Sequence, residues 1–327
     1  HALAVAARER DLPATTIDGR AITVLVNSSC EAESVAGIDA GAAGIGLLRT
    51  ELAFLDAPDW PSAGDHLAAL RPVLGPARGR TATVRTLDFG GDKTPPFLRG
   101  RLERGIALLL SDPEALEAQL KAIVDAAAGT ELRIMLPLVN APAEVESVRA
   151  RLPETVRLGA MIETREAAEA APAIAAVSDF LSIGTNDLTA SALGSDRFAP
   201  GQAATHHPRV LELIARTVDA ARAAGIPLEV CGEAASDPVS FPLLVGLGVD
   251  ELSVGASRVG AVRAWTRAID YLSLRRTARA ALELSDAAEV ARLVDPIAGR
   301  LVLLEAGEAG AERFDGGGRV AALGGQT

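Results

Sequence analysis

Eight short runs rich in Val, Ile and Leu, alternating with stretches of helical spacing, constrain this chain more than any other feature. The runs are Ile22–Val26, Ile45–Leu48, Thr83–Leu87, Arg133–Leu138, Val156–Met161, Phe180–Ile183, Pro227–Val230 and Glu251–Val254. Several are almost continuously apolar, as strands buried on both faces of a helix-covered parallel sheet must be. The clearest helix is Pro113–Ala127, with Leu116, Leu120, Ile123, Val124 and Ala127 on one stripe. Asp112, Pro113 and Glu114 mark its start as cap, first-turn proline and first-turn acid. Pro208–Ala224 is another, stopped by Gly225. Eight such units in about 250 residues predict an α/β chain folded as a (β/α)8 TIM barrel with enlarged βα loops.

A barrel of this kind carries its chemistry just past the C-terminal ends of the strands. The polar residues at those positions are Asn27, Arg49, Arg85 with Asp88, Asn140, Glu163, Asn186 with Asp187, Cys231 and Ser257. An open doubly wound sheet would also gather groups at strand ends, so closure rests on the strand count. Three longer connections, Leu52–Arg80, Phe89–Asp112 and Leu188–His207, leave strands on the same side, where insertions shape pockets. The division expected is an N-terminal linker helix over 1–18 with a turn at Asp18-Gly19, a barrel over 19–297, and a flexible tail over 298–327. A weak strand at Leu301–Leu304 and the run Gly316-Gly317-Gly318 fall in that tail.

Charge and composition exclude several classes of function. Acids outnumber bases 43 to 32, a formal charge of −11, which argues against nucleic acid or an anionic membrane surface as the main partner. No apolar run approaches the roughly 18–20 residues of a membrane-spanning helix. Arg8, Glu9, Arg10 and Asp11 interrupt any signal-peptide core. Two cysteines, Cys30 and Cys231, make no disulfide framework and fit a reducing, cytoplasmic setting.

The rim residues point to anion and metal chemistry. Glu163 and Asp187 each end an apolar strand, and two such carboxylates suit a hard divalent cation such as Mg²⁺. Either one alone reads equally well as a helix cap. Arg49, Arg85 and Arg197 are charges that need partners, and a small dianionic or trianionic substrate would supply them through bidentate contacts. Lys93 sits in the glycine-opened loop Gly90-Gly91-Asp92-Lys93 at the same rim. Cys231, followed by Gly232, reads as an accessible thiol whose pKa nearby cations would lower, able to act as acid or base. Cys30 reads as structural, and His206-His207 as turn or cap residues before Pro208.

Gly44–Glu51 (GIGLLRTE), Val84–Lys93 (VRTLDFGGDK), Leu132–Pro137 (LRIMLP), Met161–Thr164 (MIET), Ser182–Thr189 (SIGTNDLT) and Cys231–Glu233 (CGE) together resemble one family in order and spacing. It is the phosphoenolpyruvate-binding C-terminal domain of Enzyme I of the bacterial sugar phosphotransferase system, a barrel also found in pyruvate phosphate dikinase and phosphoenolpyruvate synthase. The resemblance runs from about Leu12 to about Pro296. It implies that Arg49, Arg85 and Arg197 hold phosphoenolpyruvate, that Glu163 and Asp187 bind Mg²⁺, and that Asn186 contacts the phosphate. It implies that Cys231 protonates the methylene carbon to give pyruvate. A phosphohistidine domain or carrier protein would accept the phosphoryl group, and a homodimer is expected.

The chain departs from the family pattern at Ala107, Arg165, Ala190-Ser191 and Ala234-Ala235-Ser236. Two other readings compete with the enzyme component: a non-catalytic phosphoenolpyruvate-sensing or partner-binding module, and a metal-dependent enolpyruvate lyase or aldolase. The second needs one arginine at its metal, so Arg49, Arg85 and Arg197 together disfavour it.

Overall fold

The computed structural model describes residues 10–90, 93–194 and 204–306. Eight parallel strands close on themselves in sequence order, with β8 pairing back to β1. They are β1 Thr23–Ser28, β2 Gly44–Arg49, β3 Thr81–Arg85, β4 Glu131–Leu136, β5 Arg157–Ile162, β6 Phe180–Ile183, β7 Leu228–Val230 and β8 Glu251–Gly255. Each apolar run of the sequence is one of these strands, so the expected barrel stands.

Two apolar clusters hold the barrel. The larger lies between strands and surrounding helices and takes the outward-facing side chains, such as Val24, Val26, Ile45 and Leu48. The smaller fills the barrel itself with Leu47, Met135, Met161, Phe180 and Cys231. Gly159 makes room there, because a Cβ at that position would lie 2.5 Å from the Phe180 ring. Near the strand N-termini the interior turns ionic. Arg133 donates to both carboxylate oxygens of Glu251 at 2.7 and 3.2 Å, and its guanidinium stands 5.4 Å from the Phe180 ring centre. Glu229, cross-strand neighbour of Glu251, is buried with neither oxygen hydrogen-bonded.

In β2 an extra residue breaks the pairing register: Val26 opposes Ile45, yet Asn27 opposes Leu47. Such a bulge places two successive residues on one face. Gly46 faces the interior, where a Cβ would meet Ser253 Oγ at 2.4 Å, and Leu47 belongs to the inner cluster.

The helix Pro113–Ala126 begins as its sequence indicates, with Asp112 accepting the Ala115 N–H. It does more than cover strands. Its buried Gln119 accepts the Leu87 N–H at 3.0 Å and donates to Thr50 Oγ1, which donates to the Arg85 carbonyl. That chain ties the ends of β2 and β3 together at the mouth. Pro208–Ala224 is helical with the bounds read from sequence, and His207 Nδ1 accepts the Arg209 N–H as a cap.

Two expectations at the ends are corrected. Residues 10–18 are not a linker helix: Thr15 pairs antiparallel with Ala21 around a turn at Asp18-Gly19, and Gly19 has φ +91°. Residues 1–9 lie outside the described residues. Over 298–306 the expected tail, with its weak strand, is instead the second half of a helix, Ala287–Ala306, with Pro296 inside it. Proline forfeits one helical hydrogen bond. Val290, Val294, Ile297, Ala298 and Leu301 offset it by burying one stripe, and Trp265 Nε1 donates to the Leu301 carbonyl at 3.0 Å. Residues 307–327 lie outside the described residues.

Candidate active site

The strand C-termini open into a cavity of about 380 Å³. Arg49, Arg85, Lys93, Glu163, Asn186, Asp187 and Cys231 all line it. Seven of the eight residues singled out in the sequence are therefore brought to one mouth. The eighth, Arg197, lies outside the described residues.

Arg85 ends β3 and is buried. Its charge does not wait for a substrate, as the sequence suggested, because the protein supplies partners: Glu51 Oε1 at 2.7 Å and Asp88 Oδ2 at 3.1 Å. Burial opposes its charge, but Asp88, Glu51 and Glu163 outweigh that and raise its pKa further. Glu51 is fully buried and also accepts from Lys93 Nζ at 2.9 Å. Burial pushes the Glu51 carboxyl up, yet Arg85 and Lys93 prevail and hold it below the usual range. A single carboxylate thus joins a strand arginine to a loop lysine. Arg49 lies at the end of β2 with its Nε buried and without a hydrogen-bond partner.

Glu163 follows β5 and is buried, its Oε2 accepting the Leu138 N–H at 2.9 Å. Gly184 opens space beside it, since a Cβ there would lie 2.4 Å from Glu163 Oε1. Burial, then the negative charges of Asp88 and Asp187, push the Glu163 carboxyl up to about 8 against the pull of Arg85. Carboxylates crowded this way favour a cation between them. Asn186 and Asp187 occupy the first turn of the helix Thr185–Leu193. No group of three His, Cys, Asp or Glu suited to a metal occurs among the described residues. Glu163 and Asp187 thus offer two oxygen donors, leaving further positions to water and substrate, which suits a hard divalent cation.

Cys231 departs from its expected character. It lines the mouth but is only 6% exposed, and burial followed by Glu229 pushes its thiol up to about 12, with Arg85 too weak to reverse this. Ser182 Oγ donates to its sulfur at 3.4 Å. The protonated thiol is therefore the resting form, suited to giving a proton. Cys30, expected to be structural, is exposed at the start of the helix Glu31–Asp39.

Three contributors went unassigned from sequence. Glu51 was visible within GIGLLRTE but had no local sign of burial. Asn27 donates to the Cys231 carbonyl at 3.1 Å and accepts from Ser253 Oγ, steadying β7 against β8. Arg258 joins the cavity wall from beyond β8. Of the departures from the family pattern, Arg165 pairs with Glu169, its N–H meets Ser191 Oγ, and only Ser236 borders the cavity.

Residues 4–271 match the family model for the PEP-utilising enzyme, PEP-binding domain. The chain belongs to this family. A multiphosphoryl transfer protein of Rhodobacter capsulatus is 44% identical over 303 residues, covering 87% of this chain and 36% of the relative. A phosphoenolpyruvate-protein phosphotransferase of Haemophilus influenzae is 35% identical over 313 residues, covering 88% and 54%. This member of the PEP-utilising family thus spans about a third to a half of the length of these relatives. Among solved structures, an HpcH/HpaI aldolase/citrate lyase family protein of Burkholderia cenocepacia is 18% identical with a TM-score of 0.49, covering 80% of this chain and 95% of that one.

Proposed function

We propose that this chain binds phosphoenolpyruvate together with Mg²⁺ and gives its phosphoryl group to a histidine on a phosphohistidine domain or carrier protein. The carrying observation is the meeting of two carboxylates, Arg49, Arg85, Lys93, Asn186 and a protonated thiol in one mouth. Glu163 and Asp187 would hold Mg²⁺, which when bound supplies positive charge to phosphoryl and enolate oxygens. Arg49, with its unpartnered Nε, takes phosphate or carboxylate oxygens, as does Arg197. Arg85 and Lys93, anchored by Glu51, present a fixed positive wall that costs no reorganisation as charge moves to the enolate.

Cys231 completes the reaction. The phosphorus–oxygen bond of phosphoenolpyruvate breaks as a bond to the histidine nitrogen forms, leaving pyruvate enolate. The Cys231 S–H then protonates the methylene carbon, and the thiolate recovers a proton from solvent. Its raised pKa favours that return and keeps the acid form populated at neutral pH.

Calorimetric titration of the chain with phosphoenolpyruvate, with and without Mg²⁺, tests the binding half. Binding that depends on Mg²⁺ and is lost in Asp187→Ala is expected; its absence at millimolar ligand overturns the reading. Pyruvate release on adding a phosphohistidine domain, abolished by Cys231→Ala, tests the transfer half.

A further inference from the structure

A second cavity, of about 440 Å³, opens at the other end of the barrel. Arg20 precedes β1, Gly248 precedes β8, and Arg222 closes the helix Pro208–Ala224 before β7. All three therefore sit at strand N-termini, a barrel's length from the mouth. Arg20, Arg222, Arg275 and Arg279 line this cavity together with Tyr271, against a single acid, Asp219. Four guanidinium groups in one hollow are unexpected for a chain of formal charge −11.

The hollow is built rather than accidental. Arg20 is fixed by the Gly248 and Val249 carbonyls, by Asp250 at 3.2 Å, and by the Tyr271 ring, whose centre is 4.5 Å from its guanidinium. Its Nε is nonetheless buried without an acceptor. Gly248 has φ +110°, and a Cβ there would meet the Arg222 guanidinium at 2.6 Å, with the Tyr271 hydroxyl 3.7 Å from the same point. The absent side chain is what lets Arg222 and Tyr271 converge. Gly246 brings the helix Ser240–Leu247 into backbone contact with Tyr271–Leu282, since a Cβ there would lie 2.3 Å from the Leu274 carbonyl oxygen.

The charges do not balance internally. Asp219 pairs with Arg222 at 3.1 Å and Asp250 with Arg20. Arg275 and Arg279, one turn apart on Tyr271–Leu282, have no hydrogen-bond or ion-pair partner among the described residues. Two uncompensated forks, an acceptor-seeking Nε and a phenol hydroxyl around one hollow match an anion with several oxygens.

We infer that the N-terminal face of the barrel carries a second anion site, taking a small molecule with two or more negative charges on phosphate or carboxylate groups. It shares no lining residue with the mouth and stands independently of the phosphotransferase reading.

Calorimetry of the full chain in metal-free buffer, with pyrophosphate in one arm and citrate in the other, tests it and separates the two anion classes. Arg49→Ala disables the anion grip of the mouth, so binding to the second site is expected to survive in that variant. In an Arg49→Ala background, Arg275→Ala with Arg279→Ala is expected to weaken binding by at least about tenfold, the loss of charge-assisted hydrogen bonds. Both residues are exposed, and an unchanged unfolding midpoint verifies folding. The pair Arg275→Lys with Arg279→Lys keeps the charge and should restore part of the affinity. The inference is overturned if neither anion binds Arg49→Ala at about 1 mM, or if the double alanine variant binds as tightly as its parent.

Discussion

Leu138 gives its backbone N–H to Glu163 Oε2 at 2.9 Å from a left-handed conformation, φ +53°, which no other non-glycine among the described residues adopts. The loop after β4 is bent so that a peptide dipole aims at a carboxylate at the mouth. Backbone outliers of this kind persist where the surroundings hold them and cluster at working sites.

Replacing Leu138 with Val tests whether this bend serves the site. A β-branched residue tolerates φ near +50° poorly, so about 1–3 kcal/mol of stability should be lost. Mg²⁺ affinity should fall with it as Glu163 loses its donor. Leu138→Asn, which accepts the left-handed region, should retain the affinity. Urea unfolding and a metal titration read the two effects, and equal metal affinity in Val and Asn variants refutes the link.

Glu51→Gln should be costly far beyond one hydrogen bond. Its charge balances Arg85 and Lys93 in a buried setting, and breaking a buried pair costs about 3–5 kcal/mol. Urea unfolding measures the loss. A change below about 1 kcal/mol would mean that Asp88 alone suffices for Arg85.

The two cysteines should react very differently. Cys231 is buried with its thiol pushed up to about 12, whereas Cys30 is exposed. Because the thiolate is the nucleophile, iodoacetamide at pH 8 should alkylate Cys30 and spare Cys231 in the native chain. Both should react in urea. Peptide mass spectrometry reads the sites, and equal native labelling contradicts the assignment of a protonated resting thiol.

Glu229 predicts a pH dependence inside the barrel. Burial, then Glu251, raises its pKa well above the usual carboxyl value, with Arg133 opposing. The folded chain therefore keeps a proton that the unfolded chain releases above about pH 4.5. Stability relative to Glu229→Gln should be level below that point and decline by about 1.4 kcal/mol per pH unit above it, until the folded pKa is reached. Urea unfolding of both proteins at pH 5 and pH 8 checks the sign, and parallel curves exclude it.

The eight strands were readable because burial on both faces leaves a local signature, a run such as Ile45–Leu48 with no polar interruption. The mouth residues followed, since strand ends are located once strands are. The helix Ala287–Ala306 is hidden in the sequence because Pro296 interrupts its pattern and Leu301–Leu304 imitates a short strand, while its stripe of Val290, Val294, Ile297 and Leu301 finds its value only against Trp265. Glu51 and the Cys231 thiol failed for a related reason. Their environments are set by residues far along the chain, Lys93 for Glu51 and Ser182, Glu163 and Arg85 for the thiol, and depth cannot be read from neighbours in sequence.

The bulge in β2 has a bearing on how this barrel can change. Strand side chains alternate, and Gly46 is the extra residue opposed to single partners on both β1 and β3, so its loss would restore regular pairing and leave Leu47, Leu48 and Arg49 on their present faces. Substitution is the costlier change, since any larger residue strikes Ser253. The strand below Arg49 thus tolerates losing this residue better than enlarging it, and a side chain added there would disturb the mouth from beneath while every polar group at the rim stays in place.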